Sequence, residues 1–128
     1  MKSELDHATM AKAFFGSQHP LFNAFGIEVA AVADAKAEMT MPFSEMFSDS
    51  RGALHRGTLV TLLDTTCGLA IFSALCSLRP IATIDLRVDY LRAIPVRSGL
   101  HAVVECIGWT DSVEIGRASC RERVSSPV

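Results

Sequence analysis

The sequence predicts an α+β domain in which one antiparallel sheet packs on one long helix. Three observations predict it. Ala37, Met39 and Met41 alternate with Lys36, Glu38 and Thr40, and Ile84, Leu86, Val88 and Tyr90 alternate with Thr83, Asp85, Arg87 and Asp89. That period of two gives each segment one apolar and one polar face, as a strand requires. Between them runs an apolar stretch from about Gly57 to Leu78, too long for a strand and stopped by Arg79-Pro80, since proline cannot continue a helix.

The elements follow in order. Ser3 to Phe15 reads as a short helix with an imperfect apolar stripe of Leu5, Met10, Ala13 and Phe14, ended by Gly16. His19-Pro20 opens a second short turn or helix carrying Leu21, Phe22 and Phe25. Gly26 leads into a strand, Ile27 to Val32, and Asp34 turns the chain into the Ala37–Met41 strand. Pro42 to Gly52 is irregular, and the long helix follows. After it comes the Ala82–Arg92 strand, and Pro95 and Gly99 mark the turn into a last strand, Leu100 to Trp109. No internal repeat interrupts this order of hairpin, helix and hairpin.

With 128 residues, 49% hydrophobic and 20% charged, the chain suits one soluble domain with a modest core. A net charge of -2 offers no footprint for nucleic acid. Met1 to Phe15 carries Lys2, Glu4, Asp6 and Lys12 without a continuous apolar stretch, unlike a signal or transit peptide. Cys67, Cys76, Cys106 and Cys120 lack CxxC or zinc spacing, which fits a reducing cytoplasm and no metal. Leu59 to Leu78 has the length of a membrane span, but Thr61, Asp64, Thr65, Thr66, Gly68, Ser73 and Ser77 interrupt it. A buried helix is the expectation, and no cofactor motif is present.

Beyond Val113 the pattern changes. Glu114 to Val124 reads E-I-G-R-A-S-C-R-E-R-V, charged and without periodicity. It is similar to a translated sequencing adapter. The expectation is a domain over 1–113, a non-native tail over 114–128, and a sheet lacking its last strand or strands.

Asp64 is the one formally charged group inside the helix, set among Leu62, Leu63 and Leu69. Burying a carboxylate in such surroundings costs several kcal/mol unless it is paired or protonated. That makes it a candidate general base; the structural alternative is a wetter stripe shared with Thr61 and Thr65. Gly52, His55, Arg56 and Gly57 form a glycine-bearing loop running into the helix start, where unpaired N–H groups can stabilise an oxyanion. Gly57 and Asp64 share a helix face but stand ~10 Å apart along the axis, too far to touch one carbonyl. If both act in one site, they come from different copies of the helix, so the site lies between protomers.

Gly52 to Ala70, G-A-L-H-R-G-T-L-V-T-L-L-D-T-T-C-G-L-A, followed by Ala82 to Arg92, A-T-I-D-L-R-V-D-Y-L-R, resembles the PaaI-type hotdog-fold acyl-CoA thioesterases. The resemblance spans roughly Gly26 to Trp109. It implies hydrolysis of acyl-CoA thioesters by a homodimer or homotetramer, with a sheet wrapped around the central helix. On this likeness Asp64 falls on the catalytic carboxylate, as base or nucleophile. The N–H of Arg56 matches the oxyanion donor with Gly57 beside it, and His55 matches the motif histidine. Thr83 matches a hydroxyl that helps hold the attacking water. Arg56 stands where the family has glycine, placed either to meet a CoA phosphate or to narrow the entrance. Asp49 stands where several relatives carry asparagine. A non-catalytic acyl-CoA-binding domain is the alternative function that Arg56 and Asp49 point to.

Other candidates carry less. Arg87, Arg92 and Arg97 suit CoA phosphates by guanidinium geometry, against the ordinary alternative of a solvated face. His7, His19 and His101 have no partner pattern. Ser73 and Ser77 lack the G-x-S-x-G context of a serine hydrolase. Phe14, Phe22 and Phe25 read as core rather than a ligand cage. The histidine–carboxylate pattern of hotdog dehydratases does not appear.

Overall fold

The structure is a computed structural model that describes residues 20–75, 82–109 and 114–122. The helix expected over Ser3 to Phe15 lies outside these residues, as does the stretch around Arg79-Pro80. Helix α1, Pro20–Phe25, begins on the predicted proline. Gly26 follows at φ +72, and a Cβ there would stand 3.0 Å from Pro42 Cγ, so the turn and the close approach both demand glycine. Strands β1, Glu28–Ala33, and β2, Lys36–Met41, form the first antiparallel hairpin. Its turn places Ala35 at φ +60, left-handed space that is strained for alanine and open to glycine.

A 3-10 turn, Glu45–Phe47, leads to helix α2, Arg56–Leu75, and then to strands β3, Leu100–Trp109, and β4, Glu114–Glu122. The sheet order is β1-β2-β3-β4, all antiparallel, so β4 is its outermost strand on one side. Register aligns Ala37 with Val104, Met39 with Ala102 and Met41 with Leu100, and all six are buried. Helix α2 lies across that face, packing on β2 and β3 and then β4. Leu62, Thr66 and Leu69 are fully buried beneath it, at i, i+4 and i+7. The buried Thr66 hydroxyl donates to the Leu62 carbonyl at 2.6 Å, which satisfies it within the helix. By length and apolarity Arg56–Ala74 would also pass as a membrane span, but more than half of it is packed inside the domain.

Two expectations fail here. Ala82 to Arg92 forms no strand and belongs to no sheet among the described residues. Its alternation is real, yet Ile84, Leu86 and Tyr90 are exposed and only Val88 packs against the core. A strand is made by a neighbouring edge that pairs with its backbone, and no edge within the described residues reaches this one. Conversely, Glu114–Glu122, expected as a tail outside the domain, is β4. Its residues pair with β3 from Leu100↔Glu122 to Trp109↔Glu114, with a bulge between Cys106 and Gly108. The ladder uses backbone groups, so it forms without an alternating side-chain pattern. The second hairpin exists, one element later than the sequence indicates.

Candidate functional site

The loop before α2 is built by Asp49. Its Oδ1 accepts the N–H of Arg51 at 2.8 Å and of Ala53 at 3.2 Å, and its Oδ2 lies 3.6 Å from Arg51 Nε. The Ala53 hydrogen bond, with the Arg51 amide and guanidinium, holds the Asp49 carboxyl below the usual carboxylate range. A bridge between Ser48 and Leu54 closes the loop, and the His55 N–H donates to the Phe47 carbonyl at 2.9 Å. Asp49 is thus engaged with its own loop.

At the helix start three successive amides divide their work. The Gly57 N–H donates to His55 Nδ1 at 2.9 Å, which places the proton of a neutral imidazole on Nε2. The Thr58 N–H and hydroxyl both go to the His55 carbonyl, at 2.9 and 2.7 Å. The Arg56 N–H takes no partner within the described residues. Glycine at 57 matters sterically, because a Cβ there would meet His55 Nδ1 at 3.2 Å. A cleft of about 440 Å³ opens beside these groups, lined by Phe25, Met46, Phe47, His55, Gly57 and Thr61 among others. Phe25 is buried and stacks at a tilt on Phe47, 4.5 Å between centroids.

Asp64 lies two turns further along, outside that cleft. It is half-buried while Leu62, Leu63, Thr65 and Thr66 around it are buried. Thr61 is half-buried too, but Thr65 is not on a wet stripe with it. The Thr83 hydroxyl donates to Asp64 Oδ1 at 2.6 Å. The structure therefore brings Thr83 onto Asp64 across 19 positions of sequence. His55, Arg56 and Gly57 form a separate group at the helix start.

The arginines divide differently. Arg87 pairs with Asp89 at 3.5 Å on an exposed strip, away from both cavities. Arg92 faces a second cavity with Asp49, Arg51, Arg56 and Tyr90, where the Arg56 guanidinium sits 5.1 Å over the Tyr90 ring. Arg97 lies in a turn at φ 54, its N–H donating to the Gly52 carbonyl at 2.9 Å. Sequence reasoning did not single out Arg51 or Tyr90; the D-S-R-G turn was the available signal for the first, and none existed for the second. His101 joins Glu38 at 2.8 Å on the outer sheet face. The Ser73 hydroxyl donates to the Ala33 carbonyl and accepts the Ala35 N–H at 3.3 Å, tying α2 to the first hairpin. His7, His19, Phe14 and Ser77 fall outside the described residues. Among the described residues no cluster of His, Cys, Asp or Glu is fit to hold a metal, and Cys67, Cys106 and Cys120 are thiols rather than disulfides. Burial pushes the Cys120 thiol up to about 11, and burial, with the Asp64 charge next, raises that of Cys67.

Comparison with known proteins matches residues 51–114 to the thioesterase superfamily. A candidate esterase of Halobacterium salinarum is 31% identical over 121 residues, covering 91% of this chain and 79% of that protein. A thioesterase structure from Haemophilus influenzae superposes with a TM-score of 0.72 at 25% identity, over 82% of this chain and 73% of that one. A point mutant of the phenylacetic acid degradation protein PaaI from Thermus thermophilus gives a TM-score of 0.72 at 21% identity, over 81% and 87%. These likenesses show the hotdog fold.

Proposed function

Because the chain belongs to the thioesterase superfamily, in the hotdog fold shared with the PaaI-type proteins it resembles, we propose that it hydrolyses acyl-CoA thioesters with Asp64 as the acting carboxylate. The observation that carries this reading is the placement of Asp64: the sole acidic residue of α2, half-buried and fixed by Thr83 at 2.6 Å. A carboxylate so held, with one oxygen bonded to Thr83, keeps its other oxygen for a water or for the carbonyl carbon.

The reaction needs an oxyanion donor as well. The Arg56 N–H is that donor, but on one helix it lies too far from Asp64, at ~1.5 Å of rise per residue. The working site accordingly takes Asp64 from one copy and the helix start from a second, in a homodimer or homotetramer. The Arg56 amide polarises the thioester carbonyl, with the positive end of the helix behind it. Asp64 either takes a proton from the attacking water or attacks directly. On the first route the tetrahedral intermediate collapses to the free acid and Asp64 returns its proton to the departing CoA thiolate; on the second CoA leaves as the thiolate, and water then hydrolyses the acyl–Asp64 anhydride to the free acid, its released proton going to the thiolate. The thiols of Cys67, Cys106 and Cys120 suit a cytoplasmic setting.

Asp64→Asn keeps the shape and removes the charge. Thiol release from aryl- and alkyl-CoA esters should fall by roughly 10²–10⁴ with the fold retained. Near-wild-type turnover would end the proposal. Saturable acyl-CoA binding without thiol release from the wild type would leave a binding domain instead.

A further inference from the structure

Residues 84–90 leave an apolar stripe without cover. Ile84 is 82% exposed, Tyr90 46% and Leu86 37%, on alternate positions with the periodicity of a strand. Val88, in the same row, packs on its own core and marks this face of the segment as the inward one. Asp85, Arg87 and Asp89 stand between them and are exposed. At the far side of the sheet, β4 ends the strand order, so among the described residues its outer backbone groups meet no strand. Gly116 and Ala118 pair with the buried Cys106 and Val104, which puts them on the helix side, yet both are exposed. The segment has bulk without an edge, and β4 has an edge with little bulk.

The two fit in one antiparallel register. Setting Asp85 opposite Arg121 also sets Asp89 opposite Arg117, so each of these exposed arginines of β4 meets a carboxylate. The same register lays Leu86 on Cys120, Val88 on Ala118 and Tyr90 on Gly116, large residues beside small ones on the helix side. The smallest shift that keeps the apolar face inward is two residues. In either direction it opposes Arg87 to an arginine, Arg117 or Arg121, and like charges directly opposite destabilise a pair. We propose that residues 84–90 of a second copy of this chain dock as an added strand on the outer edge of β4, reciprocally, in a dimer with a twofold axis. Backbone hydrogen bonds supply the attachment, and the charges choose the register.

The docking reaches the site. A Cβ at Gly116 would stand 3.7 Å from Cys67 Sγ, and Cys67 is the i+3 neighbour of Asp64 on α2. Tyr90 of the second copy, set opposite Gly116, therefore comes beside Asp64 of the first. Arg56 of that second copy stacks on its own Tyr90 at 5.1 Å and is carried with it. A helix start and a carboxylate from different copies are brought together in this way. The pairing rests on the register; its bearing on catalysis rests on the thioesterase reading.

Charge reversal at one pair tests it on the intact protein. The wild type should sediment as a dimer at micromolar concentration. Asp85→Arg and Arg121→Asp each oppose like charges at both edges of the dimer, and each should raise its Kd about 30-fold. Circular dichroism should show both variants folded, since both positions are exposed. Mixing the two variants restores opposite charges at both edges of the mixed dimer, so the mixture should assemble as the wild type does. A monomeric wild type, or an unchanged Kd in the single variants, overturns the proposal. So does recovery in the double variant without recovery in the mixture, because the segment then pairs within one chain. Thiol release from an acyl-CoA, read on the same samples, should follow the dimer fraction. Release from samples that hold no dimer overturns the docking and leaves the thioesterase reading standing. Dimers restored by mixing, with no release from any sample, do the reverse.

Discussion

Removing one hydroxyl tests whether Thr83 orients the acting carboxylate. Thr83→Val preserves shape and deletes the donor that meets Asp64 Oδ1 at 2.6 Å. A hydrogen bond to a charged group contributes about 1.5–3 kcal/mol when water cannot replace it. Here Thr83 is exposed and Asp64 half-buried, so water recovers much of the loss and about 1 kcal/mol remains. In transition-state terms that is about a fivefold fall in kcat. Thr83→Ser keeps the hydroxyl and should stay within about twofold of wild type. The melting temperature should barely move in either variant, because exposed substitutions of this kind usually fall within about 0.5 kcal/mol. The assay is thiol release from a fixed acyl-CoA at saturating concentration, beside thermal melts. Wild-type turnover in Thr83→Val would refute the reasoning. So would an equal loss in Thr83→Ser, since the hydroxyl would then not be the cause.

Three further outcomes follow from the geometry. Gly57→Ala presses a methyl to 3.2 Å from His55 Nδ1, so turnover should drop while thermal stability holds or rises with the better helix former. Leu62→Ala empties a fully buried position under the sheet, and urea denaturation should show a loss of about 2–5 kcal/mol. The Cys120 thiol is raised from 9.0 to about 11 in the fold, so its contribution to stability is complete below pH 9.0 and is lost as pH rises toward about 11. Melts across that window should steepen in the wild type relative to Cys120→Ala, and parallel curves would count against the assigned burial.

Much of the fold is legible in the sequence because side-chain periodicity reports which faces are dry. Ala37, Met39 and Met41 are buried as their alternation requires, and β3 has the boundaries its turn residues mark. Periodicity says nothing about partners. Ala82 to Arg92 alternates well and pairs with no strand among the described residues, whereas Glu114–Glu122 barely alternates and pairs along its length. Backbone pairing depends on which edge is within reach, a non-local fact. The site divides along the same line. Asp64 stands out as a lone charge on a greasy helix, and His55 to Gly57 as a loop meeting a helix start. Arg51 and Tyr90 become neighbours of Arg56 only when residues 90–97 fold back over the 49–56 loop, and no spacing rule in the sequence encodes that return.

Among the described residues the outer flank of β4 pairs with no further strand, which bears on how the protein behaves in the tube. Its outward backbone donors and acceptors form a rail on which another extended peptide can add itself. Arg117 and Arg121 are exposed along this strand, which also carries Glu114 and Glu122 and so has no net charge. Addition at this edge draws on backbone groups, so it should vary little with ionic strength.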